Sequence, residues 1–209
     1  MPRLSYRSSG VHADARNDDT AEVYRYLQGR EPAMILPTGG VLEPLEPWRA
    51  DEFAAHLDRA REHIRPWVGP SFVSTDLGGA RATLARYAES TARDGARIWG
   101  IWSEGTLIGG VMFVEFSAGT GVCEIGCWSE PAGEGHGHVG AAVRELLRYA
   151  FDVRGLHRAE WRCRSDNVRS IALAERVGMT FEGRLREAWQ VAGVFHDKAV
   201  YSILDREFS

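Results

Sequence analysis

The chain has 209 residues, enough for one sizeable domain with a short extension, and at 44% hydrophobic and 26% charged its composition is that of an ordinary globular protein. A core of that size needs no disulfide or structural metal to hold it together. The formal net charge of -4 leaves no basic footprint for nucleic acid. No stretch reaches the roughly 18 apolar residues of a membrane span, and the arginine-bearing N-terminus lacks the apolar run of a signal peptide. Cys123, Cys127 and Cys163 have no paired spacing and read as buried free thiols, which fits a reducing, cytoplasmic location.

Residues 1–33 differ from the rest. They carry five arginines and five acidic residues with few large aliphatics, and read as a flexible or loosely docked leader. An arm exchanged within a homodimer is the other reading. Met34 opens a stretch that itself looks like a domain start, so the folded domain is expected over 34–209.

From Ile35 the pattern becomes regular. Val41-Leu42-Glu43-Pro44-Leu45 predicts a short strand ended by prolines. Asp51 reads as a helix N-cap, followed by Phe53, Leu57, Ala60 and Ile64 at helical spacing up to Pro66. A second helix is predicted from about Ala80 to Arg93, with Leu84, Tyr87, Ala88 and Thr91 on one face. Three strands joined by tight turns follow, Arg97 to Ser103, Thr106 to Phe116 and Val122 to Ser129. The glycine-rich Ala132-Gly133-Glu134-Gly135-His136-Gly137-His138 then opens a helix striped by Val143, Leu146, Leu147, Ala150 and Phe151. Arg158 to Arg164 alternates strictly, with Ala159, Trp161 and Cys163 on one face. Asn167 caps a further helix whose apolar face is Ile171, Ala174 and Val177, and Gly178 ends it at C′. Strands at about Thr180 to Gln190 and Phe195 to Leu204 close the chain, and no internal repeat is found.

A glycine-rich turn between a strand and a helix lets backbone N–H groups converge, and the helix dipole adds positive potential, so a phosphate fits there. Spacing alone does not identify the ligand. The loop lacks the lysine of a P-loop and departs from the dinucleotide fingerprint, and a plain strand–helix connection has the same glycines.

The wider run carries more. Cys127-Trp128-Ser129-Glu130-Pro131, then Gly135-x-Gly137, then a helix ending Tyr149-Ala150-Phe151 resembles the acyl-CoA-binding segment of GNAT acyltransferases. Gly155-Leu156-His157-Arg158-Ala159-Glu160, Asp166-Asn167-x-x-Ser170 and Glu175-Arg176-Val177-Gly178-Met179-x-x-Glu182-Gly183-x-Leu185-Arg186 resemble its RimJ/RimL branch. So do Gly193-x-x-x-Asp197 and Tyr201-Ser202-Ile203-Leu204, and the likeness spans about residues 35–206.

The resemblance implies an α+β fold with a twisted mixed sheet of about seven strands and about four flanking helices. The sheet should splay between its fourth and fifth strands, here Val122 to Ser129 and Arg158 to Arg164, to admit a pantetheine arm. It implies acetyl-CoA or another acyl-CoA as co-substrate and no metal. Backbone groups near Trp128 and Ser129 would pair with pantetheine and polarise the thioester carbonyl. Gly135, His136, Gly137, His138, Val139 and Gly140 would wrap the pyrophosphate, Asn167 would contact pantetheine, and Ser170 would protonate the departing thiolate. Asn167 also reads as a plain N-cap and Ser170 as a residue of the first helical turn.

The loop departs from the family pattern. The usual signature begins with Arg or Gln and ends with Gly or Ala, whereas this chain has Glu134 and Val139, and Gly140-Ala141 replace a common threonine-glutamate pair. Two unit charges about 4 Å apart at an effective dielectric near 20 repel by on the order of 4 kcal/mol. Glu134 must therefore point away, be paired, or face something other than CoA. His136 and His138 offer compensating charge, or donors when neutral; with no third ligand nearby they do not predict a metal site.

Aminolysis of a thioester needs a neutral amine, hence a base. Glu124, on the strand before Ser129, is the first candidate, with Glu115 and Glu187 in reserve; each also reads as an ordinary strand carboxylate. Trp48, Trp67, Trp99, Trp102 and Trp189 hold the candidate acceptor-pocket walls. The expected activity is transfer of an acetyl (acyl) group from acyl-CoA to a primary amine of a protein N-terminus or small molecule, away from any membrane. Two alternatives stand beside it: a non-CoA donor such as aminoacyl-tRNA, motivated by Glu134 and Val139, and a ligand-binding domain without turnover.

Overall fold

The structure, a computed structural model, describes residues 33–69 and 72–208. The expected leader, save Ala33, lies outside the described residues. Among these, eight strands form one sheet in the order β1-β2-β3-β4-β5-β6-β8-β7. They are β1 Met34–Ile35, β2 Val41–Pro44, β3 Arg97–Ser103, β4 Thr106–Ser117, β5 Val122–Ser129, β6 Arg158–Arg164, β7 Thr180–Val191 and β8 Val194–Leu204. Four α-helices accompany them: α1 Ala50–Ile64, α2 Leu77–Ala92, α3 His138–Arg148 and α4 Val168–Arg176, with a π-helical turn Tyr149–Val153 extending α3.

Neighbouring strands are antiparallel except β5 and β6, which run parallel because α3 carries the chain across between them. The sheet divides two cores. On one face Phe53, Leu57, Ala60, Ile64 and Leu84 of α1 and α2 meet Ile98, Trp102, Leu107, Met112 and Trp128. On the other, Val143, Leu146, Leu147, Ala174 and Val177 of α3 and α4 meet Val111, Phe113, Ile125, Ala159 and Trp161. The 3.6-residue stripes and the alternation of β6 predicted these faces, and burial follows them.

Three expectations are corrected. The sheet has eight strands because Met34–Ile35 adds a two-residue edge pairing, which makes the splayed strands the fifth and sixth. Asp51 is no N-cap: a 3₁₀ turn, Pro47–Arg49, runs straight into α1, Arg49 holds the cap position, and Asp51 lies exposed in the first turn, where its charge suits the helix dipole. α2 begins at Leu77 rather than Ala80, because Asp76 Oδ1 accepts from Gly79 N–H at 2.7 Å, and Thr91 is exposed. Asn167 and Gly178 do end α4 as expected, with Gly178 at φ +94°.

The feature that positions the site is the short pairing of β5 with β6. Only Val122–Arg158, Cys123–Ala159 and Glu124–Glu160 are in register. Beyond them β5 continues along β4 to Ser129, and β6 continues along β8 to Arg164. A bulge in β4 between Phe113 and Glu115 lies at the same level. Bulges bend a strand and raise its twist, and this one coincides with the point where β5 stops pairing with β6. Every second residue of the far half of β5 then faces the gap with unpaired backbone groups.

Candidate active site

The gap is a cavity of about 990 Å³ whose walls include Glu124, Trp128, Ser129, Gly135, Gly137, Val139, Gly140, Asn167 and Ser170. Predicted residues from three separate stretches of the sequence, 124–129, 135–140 and 167–170, thus meet in one place. The rings of His136 and His138 do not line it. His138 is buried, with Nδ1 at 2.7 Å from Thr38 Oγ1 and its ring against Gly40. Burial, and then nearby His136, lower its pKa. His138 therefore ties the loop to the β1–β2 turn, and exposed His136 stacks on it at 5.7 Å.

The glycine-rich loop is a backbone device. Gly135 and Gly137 lie at φ +81° and +78°, a region glycine enters without strain. The first bond of the α3 ladder runs from Ala141 N–H to Gly137 C=O at 3.0 Å. The N–H groups of His138, Val139 and Gly140 precede that ladder and stand at the positive end of the helix dipole. Glu134 is paired: its Oε1 accepts from His63 Nε2–H at 2.7 Å and from Arg169 Nη1–H at 2.9 Å. The repulsive charge that motivated a different donor is thereby compensated within the protein.

At the other end of the gap Glu124 is half-buried, with its Oε2 3.7 Å from Arg162 Nε. Burial raises its pKa, helped by Glu115 and Glu160 on the neighbouring strands and opposed by Arg162 and Lys198. Glu115 also lines the gap, whereas Glu187 sits at φ +53° in a bulge of β7, its N–H donated to Asp197 Oδ1 at 2.8 Å. That bulge precedes Trp189, whose ring lies under Lys198 Nζ at 4.4 Å. Of the five candidate wall tryptophans, Trp67 and Trp189 line the gap, Trp99 and Trp102 are core, and Trp48 is exposed.

Ser170 Oγ accepts from Trp161 Nε1–H at 2.9 Å, and its hydroxyl proton is directed to the Cys163 sulfur on the same wall. Asn167 Oδ1 accepts from Ser170 N–H at 3.2 Å, so cap and cleft wall coincide and its amide NH₂ remains a donor. Cys127 and Cys163 also line the gap, and burial raises both, Cys127 to about 12. They are thiols rather than thiolates and supply no nucleophile.

A support under β5 was not legible in the sequence. Trp128 Nε1–H donates to buried His56 Nε2 at 2.9 Å, so His56 Nδ1 carries the proton and donates to Leu107 C=O at 3.0 Å. Glu130 Oε2 lies 3.3 Å from that Nδ1 and 3.0 Å from Arg59 Nε. The Trp128 indole also crosses Gly110, where a Cβ would meet it at 2.2 Å. Its side chain is thus core, and only its backbone is available to the gap. His56 and Glu130 lie 74 positions apart, and nothing in their local patterns pairs them.

A mixed sheet opened between two parallel strands, with a glycine turn at the start of the helix that crosses between them, is the fold of the acetyltransferase class of acyl-transfer enzymes. The family model described as "Acetyltransferase (GNAT) domain" matches residues 41–180, and the chain belongs to this family. It is similar to the "Probable N-acetyltransferase YjcK" of Bacillus subtilis strain 168, 32% identical over 171 residues that cover 78% of this chain and 93% of the relative. It is 28% identical over 139 residues to the ribosomal-protein-serine acetyltransferase of Escherichia coli K12, covering 66% of this chain and 77% of the relative. Among solved structures it matches RimL, the ribosomal L7/L12 alpha-N-protein acetyltransferase in complex with coenzyme A, with a TM-score of 0.76 at 20% identity over 82% of this chain and 97% of that one. The last match establishes the fold, and RimL bears the name of the branch that the motifs resemble. No helix among the described residues is long and apolar enough to cross a membrane.

Proposed function

We propose that the protein transfers an acetyl group from acetyl-CoA directly to the primary amine of a protein or peptide N-terminus. The observation that carries this reading is the splay of β5 from β6, with Glu124 and Ser170 in the walls of the opening. In this reading the backbone of residues 135–140 holds the pyrophosphate. Pantetheine runs along the free edge of Trp128 and Ser129, whose N–H and C=O groups pair with its amides and polarise the thioester carbonyl. The amide NH₂ of Asn167 donates to the same arm.

The amine nitrogen attacks the thioester carbon, a C–N bond forms and the C–S bond breaks. Glu124 takes the ammonium proton, helped by the burial that raises its pKa. Ser170 relays a proton to the departing thiolate: it gives up its hydroxyl proton and takes up, through solvent, the surplus proton of the newly bonded nitrogen, so it ends as a hydroxyl, with Trp161 donating to its oxygen. Trp189 Nε1–H, buried and without a partner among the described residues, is a free donor at the acceptor wall. Glu115 and Glu124 in the wall attract an ammonium group, and relatives named for acetylating ribosomal proteins favour one carried by a polypeptide. Free cysteines fit a cytoplasmic setting.

Calorimetric titration with acetyl-CoA, paired with thiol release on an N-terminal serine peptide and on a panel of small amines, tests the reading. Binding with thiol release on the peptide is expected. No heat at millimolar acetyl-CoA would sink the donor assignment, and turnover on small amines alone would sink the polypeptide acceptor.

A further inference from the structure

Glu134 stands at the mouth of the cleft, between the 3₁₀ turn Pro131–Gly133 and the two left-handed glycines. Two donors from opposite walls converge on one of its oxygens, His63 from α1 and Arg169 from α4. Arg169 Nη1 lies 3.4 Å from His63 Nε2, so both address one small volume beside Gly135 and Gly137. Because Nε2–H is given to the carboxylate, that approach joins two donors and is held together only by the anion between them. A permanently cationic donor and an imidazole N–H meeting at one anionic oxygen is an arrangement that also suits a phosphate oxygen. The side chains of His63, Glu134 and Arg169 are 27%, 32% and 68% exposed, so water reaches the bridge and its contribution to stability is small.

We propose that Arg169 and His63 form a subsite for a phosphate of the acyl donor, which Glu134 occupies in the free protein and leaves when the donor enters. The inference rests on the acetyl-CoA reading above and accounts for a carboxylate where the family pattern has Arg or Gln. The carboxylate stands in for the phosphate, holds the two donors in place, and turns to solvent once the donor's charge replaces it. Donor binding is thereby an exchange of one anion for another.

The two partners of the bridge then have opposite effects on donor affinity, which a purely structural ion pair would not give. Wild type, Glu134→Gln, Arg169→Ala and His63→Ala are titrated with acetyl-CoA, inorganic pyrophosphate and S-acetylpantetheine, which has the thioester but no phosphate. Glu134→Gln should tighten acetyl-CoA and pyrophosphate by about threefold, and Arg169→Ala should weaken both by about tenfold, with His63→Ala in the same direction. None should move S-acetylpantetheine, and melting temperatures should stay within about 2 °C. Shifts of the same sign for Glu134→Gln and Arg169→Ala, or equal shifts with S-acetylpantetheine, would overturn the subsite. Failure of wild type to bind acetyl-CoA at all would overturn the donor reading, and this inference with it.

Discussion

The two ends of the cleft are made of different materials. At the donor end the groups that face the gap are backbone: left-handed Gly135 and Gly137, the first N–H groups of α3, and the free edge of Trp128 and Ser129. The charged side chains there are satisfied by one another in the Glu134–His63–Arg169 bridge. At the acceptor end the groups are side chains: Glu115, Glu124, Arg162, Lys198 and Trp189. A backbone cradle tolerates drift in sequence as long as its glycines persist, whereas a side-chain pocket changes its substrate with every substitution. The division predicts that changes at the donor end alter affinity for CoA, and changes at the acceptor end alter rate and choice of amine.

The strongest test of that division is Glu124→Gln. The turnover rate at saturating acetyl-CoA should fall by about 10²- to 10³-fold, while calorimetric affinity for acetyl-CoA stays within about twofold. A base acts only when deprotonated, so the wild-type rate should rise with pH through the Glu124 titration. Burial places that rise above the ordinary carboxylate range. The variant should lose the rising limb. An equal loss of donor affinity would break the division.

Ser170→Ala comes next and probes the seam between the ends. The rate should fall by about 10- to 100-fold with donor affinity retained. The substitution also leaves Trp161 Nε1–H, 2% exposed, without its acceptor, which costs about 1–3 kcal/mol of stability. Rates are therefore to be measured well below the melting temperature of the variant. A variant that is destabilised but fully active would assign Ser170 to packing alone.

A third test concerns the support beneath both ends. His56 is fully buried, and burial is the main cause that lowers its pKa. The unfolded chain then binds a proton more readily than the folded one, so stability is full above the ordinary imidazole range. It declines as pH falls below about 6.5, by on the order of 2 kcal/mol. A His56→Gln variant should be less stable at neutral pH and show less of this decline in chemical denaturation between pH 7 and 5. An unchanged slope would mean that other groups set the acid limb.

These ends differed just as much in how far the sequence revealed them. The fold was legible wherever one element carried its own periodicity, as in the α3 stripe and the alternation of β6. It failed at Met34–Ile35, where two residues carry no period, and at Asp51, where the 3₁₀ turn pre-empted a side-chain cap. In the donor loop the left-handed turns demand glycine, and glycine is visible in a sequence. The partner of Glu134 was not, since His63 lies 71 positions away and packs there only because α1 crosses the mouth. The acceptor wall was legible only in part: Glu115, Glu124 and Trp189 stood out as candidates, whereas Arg162 of β6 and Lys198 of β8 are brought to it by strand pairing, which leaves no local signature. Side chains brought together by topology are the part that sequence spacing cannot state.

The smallest effect sharpens the comparison most. At Gly137 an added Cβ would meet only Thr38 Cγ2, at 3.4 Å, so Gly137→Ala is opposed mainly by its φ of +78°. That strain costs about 1 kcal/mol. It falls on the turn that aims the first N–H groups of α3, so donor affinity should drop by about fivefold. Because the acceptor end is built from other elements, the rate at saturating acetyl-CoA should stay within about twofold of wild type. Gly110→Ala is the contrasting case, since its Cβ would sit 2.2 Å from the Trp128 ring and 2.3 Å from Trp99 C=O. That change displaces the core under β5 and should lower stability, affinity and rate together. A rate loss in Gly137→Ala comparable to its affinity loss would mean that the loop also sets the thioester relative to Glu124, and the two ends would have to be treated as one device.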